Sequence, residues 1–270
     1  MSDQKAHLIN SLVTIYGKNE EAPARSDVII MAQAVAMQQK YDGPIDEVID
    51  EVLARIDTRM GVGVSLVDVE AKHDEQWIKR DITWTYSDAY ERYLCEHSHW
   101  NPKVAQSLAN VSLNILGLLQ DPSSEGNWYR RGLVIGHVQS GKTANYLGLV
   151  ARAADAGYKF IVIIAGIHNN LRKQTQERVD EGFVGRDSHP ERRRNAIGVG
   201  RLEGSGYPCP ASFTNVNKDF NKDTAEKVRT ALGDFNKPVV LVIKKNVSTL
   251  KSIFAWLENE NARQGRITET

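Results

Sequence analysis

The chain has 270 residues, with 34 Lys+Arg against 34 Asp+Glu and a formal net charge of zero. With 41% hydrophobic and 25% charged residues it has the balance of a folded globular protein, which excludes disordered, collagen-like and linker-dominated classes. The longest apolar run, Phe160–Ile167, has eight residues, against the ~20 that a membrane-crossing helix needs. The N-terminal MSDQKAHLIN has no apolar signal core, and two cysteines, Cys95 and Cys209, give no disulfide framework. These features lead us to expect a cytoplasmic protein with no membrane partner.

In chain order, Ala6–Tyr16 and Asp27–Lys40 carry apolar residues at mixed three- and four-residue spacing, which predicts buried helix faces. Pro44 opens a third helix, Ile45–Arg59, with Ile45, Val48, Ile49, Val52 and Ile56 on one stripe. Val64–Val69 reads as a short strand or extended link. Ser87–Cys95 and Lys103–Leu119 read as helices, and Asp121–Gly126 as a loop with clear turn chemistry. After Gly126 the pattern changes to short apolar runs, several followed by a helix. Gly132–Gly136 precedes Thr143–Ala156, Phe160–Ala165 precedes Leu171–Val179, Ile197–Val199 follows, and Val239–Ile243 precedes Val247–Leu257. Such alternation predicts an α/β fold with a parallel sheet covered on both faces. The expected division is a mostly helical domain over 1–125 and an α/β domain over 126–270. Residues 1–125 carry a net charge of −9 and residues 126–270 a net of +9. The basic half suits phosphate-bearing partners, although the two halves could also simply attract each other.

Gly136-His-Val-Gln-Ser-Gly141-Lys142-Thr143 matches the phosphate-binding pattern G-x-x-x-x-G-K-[ST] at every required position. It lies between an apolar run and a helical stretch, the strand–loop–helix setting that the chemistry needs. Gly136 and Gly141 permit backbone conformations that turn successive N–H groups, with those of Gln139 and Ser140, toward an anion. Lys142 would reach the β- and γ-phosphates of ATP, and the Thr143 hydroxyl would ligate Mg²⁺. These two are the candidate catalytic residues, and ATP and Mg²⁺ the expected cofactors. No carboxylate at the end of a neighbouring strand is evident downstream, since Phe160–Ala165 runs into Gly-Ile-His and Val239–Ile243 into Lys-Lys-Asn.

Three stretches together are more specific than the phosphate loop alone. They are Trp128–Tyr146, Asp155–Lys159 and Ala165–Arg178, the last containing His168-Asn-Asn-Leu-Arg-Lys-Gln-Thr175. They resemble the Z-one domain family, helicase-like proteins of superfamily two described as endonucleases of bacterial restriction and defence systems. The likeness continues through Phe183–Gly185 and Pro238–Asn246. It implies a RecA-like P-loop NTPase sheet in 126–270, forming a first motor domain that ends before its acidic Walker B strand. It also implies an ATP-binding part of a longer DNA-acting hydrolase, with partners such as a GHKL-type ATPase or a nuclease, and little activity for this chain alone. By the same resemblance, His168, Asn169, Asn170, Arg172, Lys173, Gln174 and Thr175 would meet a nucleic-acid backbone. Lys244, Lys245 and Asn246, at the edge of a strand where ligands gather in open sheets, would join them. Asn169 or Asn170 would cap the helix that follows.

Two other readings fit the phosphate loop. One is a small-molecule or nucleotide kinase in which Arg192–Arg194 clamp phosphates. The other is a nucleotide-binding interaction module without turnover. Cys95, His97 and His99 match no closed zinc pattern. Trp84, Tyr86, Tyr90, Tyr93 and Trp100 read as core rather than as a base-stacking platform, and packing against a nucleotide base is the lesser alternative for Trp128 and Tyr129, just ahead of the phosphate-loop run.

Overall fold

The computed structural model describes residues 2–16, 25–56, 73–135, 141–189, 191–192, 195–204, 206–221, 223–224 and 236–262. Val64–Val69, Gly136–Ser140, Arg193 and Arg194 fall outside the described residues. The first three helices are α1 (Ser2–Tyr16), α2 (Arg25–Gln39) and α3 (Ile45–Ile56). They close on a core of their own, with Leu8, Ile9 and Leu12 packed against Val28, Ala32 and Ala36 and against Val48, Ile49 and Val52. No helix among the described residues is long and apolar enough to cross a membrane.

The second unit begins with a 3-10 turn at Glu75–Lys79, capped by the Asp74 side chain, which accepts from Gln76 N–H. Helices α4 (Thr85–Glu96) and α5 (Pro102–Leu118) follow, and Asn101 caps α5 ahead of Pro102 in its first turn. Next come α6 (Lys142–Asp155), strand β1 (Phe160–Ile164), α7 (Asn169–Val179) and one π-helical turn, Asp180–Val184. A 3-10 turn at Gly198–Arg201, the short strand β2 (Ala211–Ser212), β3 (Val239–Ile243) and α8 (Val247–Ala262) complete the described elements.

All three strands are parallel, in the order β1-β3-β2. The central strand β3 is wholly buried, and its alternating side chains serve two layers. Val240 and Val242 pack with Tyr90, Leu147, Ala151 and Phe183 on the α4–α6 side, whereas Val239, Leu241 and Ile243 pack with Phe220, Ile253 and Trp256 on the α8 side. The predicted parallel sheet with helices on both faces is therefore present.

Two of the expected strands do not form. Leu133, Val134 and Ile135 are 83%, 52% and 86% exposed and pair with nothing in the sheet. β3 has β1 along one edge and β2 along the other, and the run joins neither outer edge of that sheet. Ile197–Val199 instead enters the 3-10 turn. There a Cβ on Gly198 would lie 1.9 Å from the Glu181 carbonyl oxygen, so this turn can press onto the π-helical turn only as glycine. The signs of the 3-10 turn at Glu75 and of β2 were too short to read as periodicity.

Nor does the core divide at residue 125/126. Tyr86, Ala89, Tyr90 and Leu94 of α4 and Leu108 of α5 share one cluster with α6 and the sheet. Trp77 and Leu116 likewise pack with Ala153 and Ala156. The reason lies at the C-terminal end of α6. Asp155 accepts from the backbone N–H groups of Tyr86 (2.8 Å) and Ser87 (2.9 Å) and from the Ser87 hydroxyl (2.8 Å). It thereby caps α4, whose own N-cap residue, Trp84, offers no side-chain acceptor. One turn earlier, Arg152 donates to Glu91 (2.7 Å) and Ser112 (3.1 Å) and lies over the Trp84 ring at 5.1 Å. Burial pushes the Glu91 carboxyl up and the Arg152 guanidinium down, the desolvation cost that their pairing offsets.

Replacing Asp155 by Ala leaves the α4 donors unpaired in a buried setting and should cost about 2–3 kcal/mol. Urea unfolding measures it, and a loss below ~0.5 kcal/mol, the size of an ordinary surface substitution, would show that α4 does not depend on this cap.

Candidate functional site

Gly141 adopts the left-handed conformation (φ 73°, ψ 17°) that glycine favours, and its carbonyl accepts from Asn145 N–H at 2.9 Å to start α6. Lys142 and Thr143 thus occupy the first turn of a 14-residue helix, where backbone N–H groups and the helix dipole favour an anion. Gly136, Gln139 and Ser140, the remaining residues expected around the phosphates, lie outside the described residues.

A cavity of about 510 Å³ opens beside this turn, within the range of small-molecule sites. Gly141, Lys142 and Thr143 form one wall, Arg178 and Glu181 a second, and Tyr90, Tyr93 and Trp100 a third. Arg178 Nη1 donates to Thr143 Oγ1 at 3.0 Å, and the Tyr93 hydroxyl reaches Glu181 Oε2 at 3.5 Å. Tyr93 and Trp100, expected as core, pack partly buried against the main core cluster and also line the cavity, while Trp128 packs edge-on to Tyr158 and Tyr129 carries Arg131 over its ring, neither of them at this cavity. The sequence signal was present in the spacing of Tyr90 and Tyr93 along α4, yet nothing local says which helix α4 faces.

The backbone segment that carries Arg178 and Glu181 is tied down by a buried polar chain through Gln176 and Asp180. Val242 N–H donates to Thr214 Oγ1 (2.9 Å), which donates to Gln176 Oε1 (2.7 Å), whose amide donates to Asp180 Oδ1 (2.8 Å). Ser188 N–H meets the other Asp180 oxygen at 3.2 Å. Asp180 is 1% exposed, and burial pushes its carboxyl up to about 6 against these donors.

The residues expected at a nucleic acid fare unevenly. Ala165 N–H donates to Ile243 O and Lys245 N–H to Gly166 O, so the loops after β1 and β3 do meet on one rim. His168, Asn169, Asn170, Lys173, Gln174, Lys245 and Asn246 are exposed there, and Lys244 is half-buried. Arg172 is not available, being 3% exposed and donating to the carbonyls of Asn215 (2.9 Å) and Val216 (2.6 Å). The Thr175 hydroxyl donates back to Leu171 O, and Asn246 accepts from Ser248 N–H at the start of α8. The N-cap of α7 is His168 rather than Asn169 or Asn170, and its side chain makes no cap bond.

The rim and the phosphate-loop turn lie at opposite ends of α7. Thr143 meets Arg178, eight residues beyond Asn170, a separation of ~12 Å along a helix. Among the described residues no group of three His, Cys, Asp or Glu side chains is placed to hold a metal ion. Comparison with protein-family models, with curated proteins and with solved structures gives no match.

The raised Asp180 carboxyl has a measurable consequence. The folded protein keeps this proton to about pH 6, whereas the unfolded chain releases it near 3.8, so folding takes up a proton between those values. Asp180 should therefore lower stability by roughly 2–3 kcal/mol as pH rises from about 4 to about 6. Asp180→Asn should lack that fall in urea titrations across the same range; an unchanged pH slope would remove Asp180 as its source.

Proposed function

We propose that the chain binds ATP with Mg²⁺ through Gly136–Thr143 and serves as the nucleotide-binding part of a helicase-like, DNA-acting protein. The observation that carries the first half is the pairing of motif and place. Gly141, Lys142 and Thr143 open a long helix beside a cavity of about 510 Å³ that also holds Arg178. Lys142 would supply the point charge at the β- and γ-phosphates, and Thr143 the hydroxyl for the metal. A single hydroxyl ligand such as that of Thr143 suits a hydrated Mg²⁺, which takes few protein ligands and leans on phosphate oxygens. The parallel sheet with helices on both faces is consistent with a RecA-like arrangement, which we take as the finer reading of the fold.

Participation in DNA binding draws on the Z-one resemblance and on the exposed His168–Asn170 turn, Lys173 and Lys245. Backbone phosphates are the natural partners of such a rim, because exposed N–H groups and lysines bind them without reading sequence. A role in restriction or defence, with a nuclease or a second ATPase, belongs to the same reading.

Lys142→Ala should weaken ATP–Mg²⁺ binding by tenfold or more, the scale of one charge-assisted hydrogen bond. Calorimetry that finds equal affinity for both proteins overturns the site.

For the rim, replacing Lys173, Lys244 and Lys245 together by Ala should weaken binding of a labelled single-stranded oligonucleotide. It should also reduce the log–log salt slope by about 0.7 for each phosphate that is no longer neutralised. ATP affinity should stay unchanged, since the rim lies at the other end of α7. Fluorescence anisotropy across a salt series measures both quantities, and an unaltered affinity and slope would move the DNA path elsewhere.

A further inference from the structure

Arg178 is the cationic side chain of the cavity that the phosphate-loop reading does not use. It lies on the last turn of α7, is exposed, and among the described residues makes no ion pair with a carboxylate. Its guanidinium instead donates from Nη1 to Thr143 Oγ1 at 3.0 Å. That hydroxyl is the group that the phosphate-loop chemistry assigns to Mg²⁺. The Thr143 oxygen cannot present a lone pair to Mg²⁺ and keep the guanidinium at this distance without placing two cations side by side. Loading the site must therefore turn Arg178 away from Thr143.

The direction of that turn is set by charge. Lys142 and Arg178 line the same cavity as Thr143, and among the described residues the only carboxylate on its wall is Glu181, which the Tyr93 hydroxyl meets. A polyphosphate held by Lys142 brings the nearest uncommitted anionic oxygens, and the guanidinium fork suits them. Because Arg178 starts from the metal-side hydroxyl, the oxygens it meets belong to the terminal phosphate, which shares the metal with its neighbour. We infer that Arg178 is a phosphate ligand supplied by the chain itself, which exchanges the Thr143 hydroxyl for the terminal phosphate and so makes the site discriminate a nucleoside triphosphate from a diphosphate. This inference rests on the proposed phosphate site. The anchoring makes the exchange local: Gln176 and Asp180, on either side of Arg178 in sequence, are fixed by the buried polar chain, so the side chain moves while its backbone stays.

Calorimetry of ATP and ADP in the presence of Mg²⁺, with wild type, Arg178→Ala, Arg178→Lys and Lys142→Ala, tests it. Wild type should prefer ATP over ADP, and Arg178→Ala should lose about ten- to a hundredfold in ATP affinity with ADP nearly unchanged. Arg178→Lys, which keeps the charge but not the fork, should recover part of the preference. An unchanged ATP-to-ADP ratio in Arg178→Ala, with binding still lost in Lys142→Ala, overturns the role of Arg178 and leaves the phosphate site standing. If wild type binds neither nucleotide, both fall together. Equal loss of ATP and ADP affinity in Arg178→Ala would also overturn it, since a terminal-phosphate ligand cannot affect the diphosphate as much.

Discussion

The docking of the C-terminal end of α6 is the constraint on which the rest of the second unit depends. Asp155 and Arg152, one turn apart, bind the start of α4, the middle of α4 and the middle of α5 through buried, charge-assisted bonds. A carboxylate so placed does for α4 what its own sequence does not, since Trp84 offers its first N–H groups no acceptor. Such a pair is costly to desolvate and costly to break, so it specifies one packing of three helices rather than simply adding stability. Because α6 is rigid, fixing its far end also fixes where Gly141, Lys142 and Thr143 stand relative to Tyr93 and Trp100.

The opposite wall is fixed by different physics. Asp180, Gln176 and Thr214 form a chain of satisfied buried polar groups that ends on the central strand. The π-helical turn that follows α7 is wedged against the glycine-bearing turn at 198–201, where no larger residue fits beneath the Glu181 carbonyl. Arg178 and Glu181 therefore project from a backbone with little freedom, and the cavity between α6 and α7 has two firm sides. A raised Asp180 carboxyl is the energetic cost of that firmness.

The proposed phosphate site and the rim formed after β1 and β3 are joined by α7 alone among the elements that carry site residues. Lys173 and the His168–Asn170 turn stand at its N-terminal end, Arg178 at its C-terminal end. Arg172 and Gln176, on its buried face, tie the helix to the segment around Asn215 and Thr214. The helix thus has one side committed to the core and two ends exposed to different surfaces.

The sequence by itself determined the helices whose apolar stripes repeat over three or more turns, the two longer strands β1 and β3 and the place of the phosphate loop at a helix start. Each rests on local periodicity or on residue types that a short backbone motif requires. Only the tertiary structure decided where those elements meet. The run Leu133–Ile135 has the composition of a strand, but a strand exists only through pairing, and this run pairs with no edge of the β1-β3-β2 sheet. Arg172 and Lys173 are neighbours of the same charge, yet one is buried against two carbonyls and the other is exposed, because helical phase relative to the core separates them. Tyr93 and Trp100 came to face Lys142 through Asp155 and Arg152, whose partners lie 40 to 69 residues away in the chain. A local pattern records what a segment can bury; which partner it is buried against is settled by contacts that are distant in sequence.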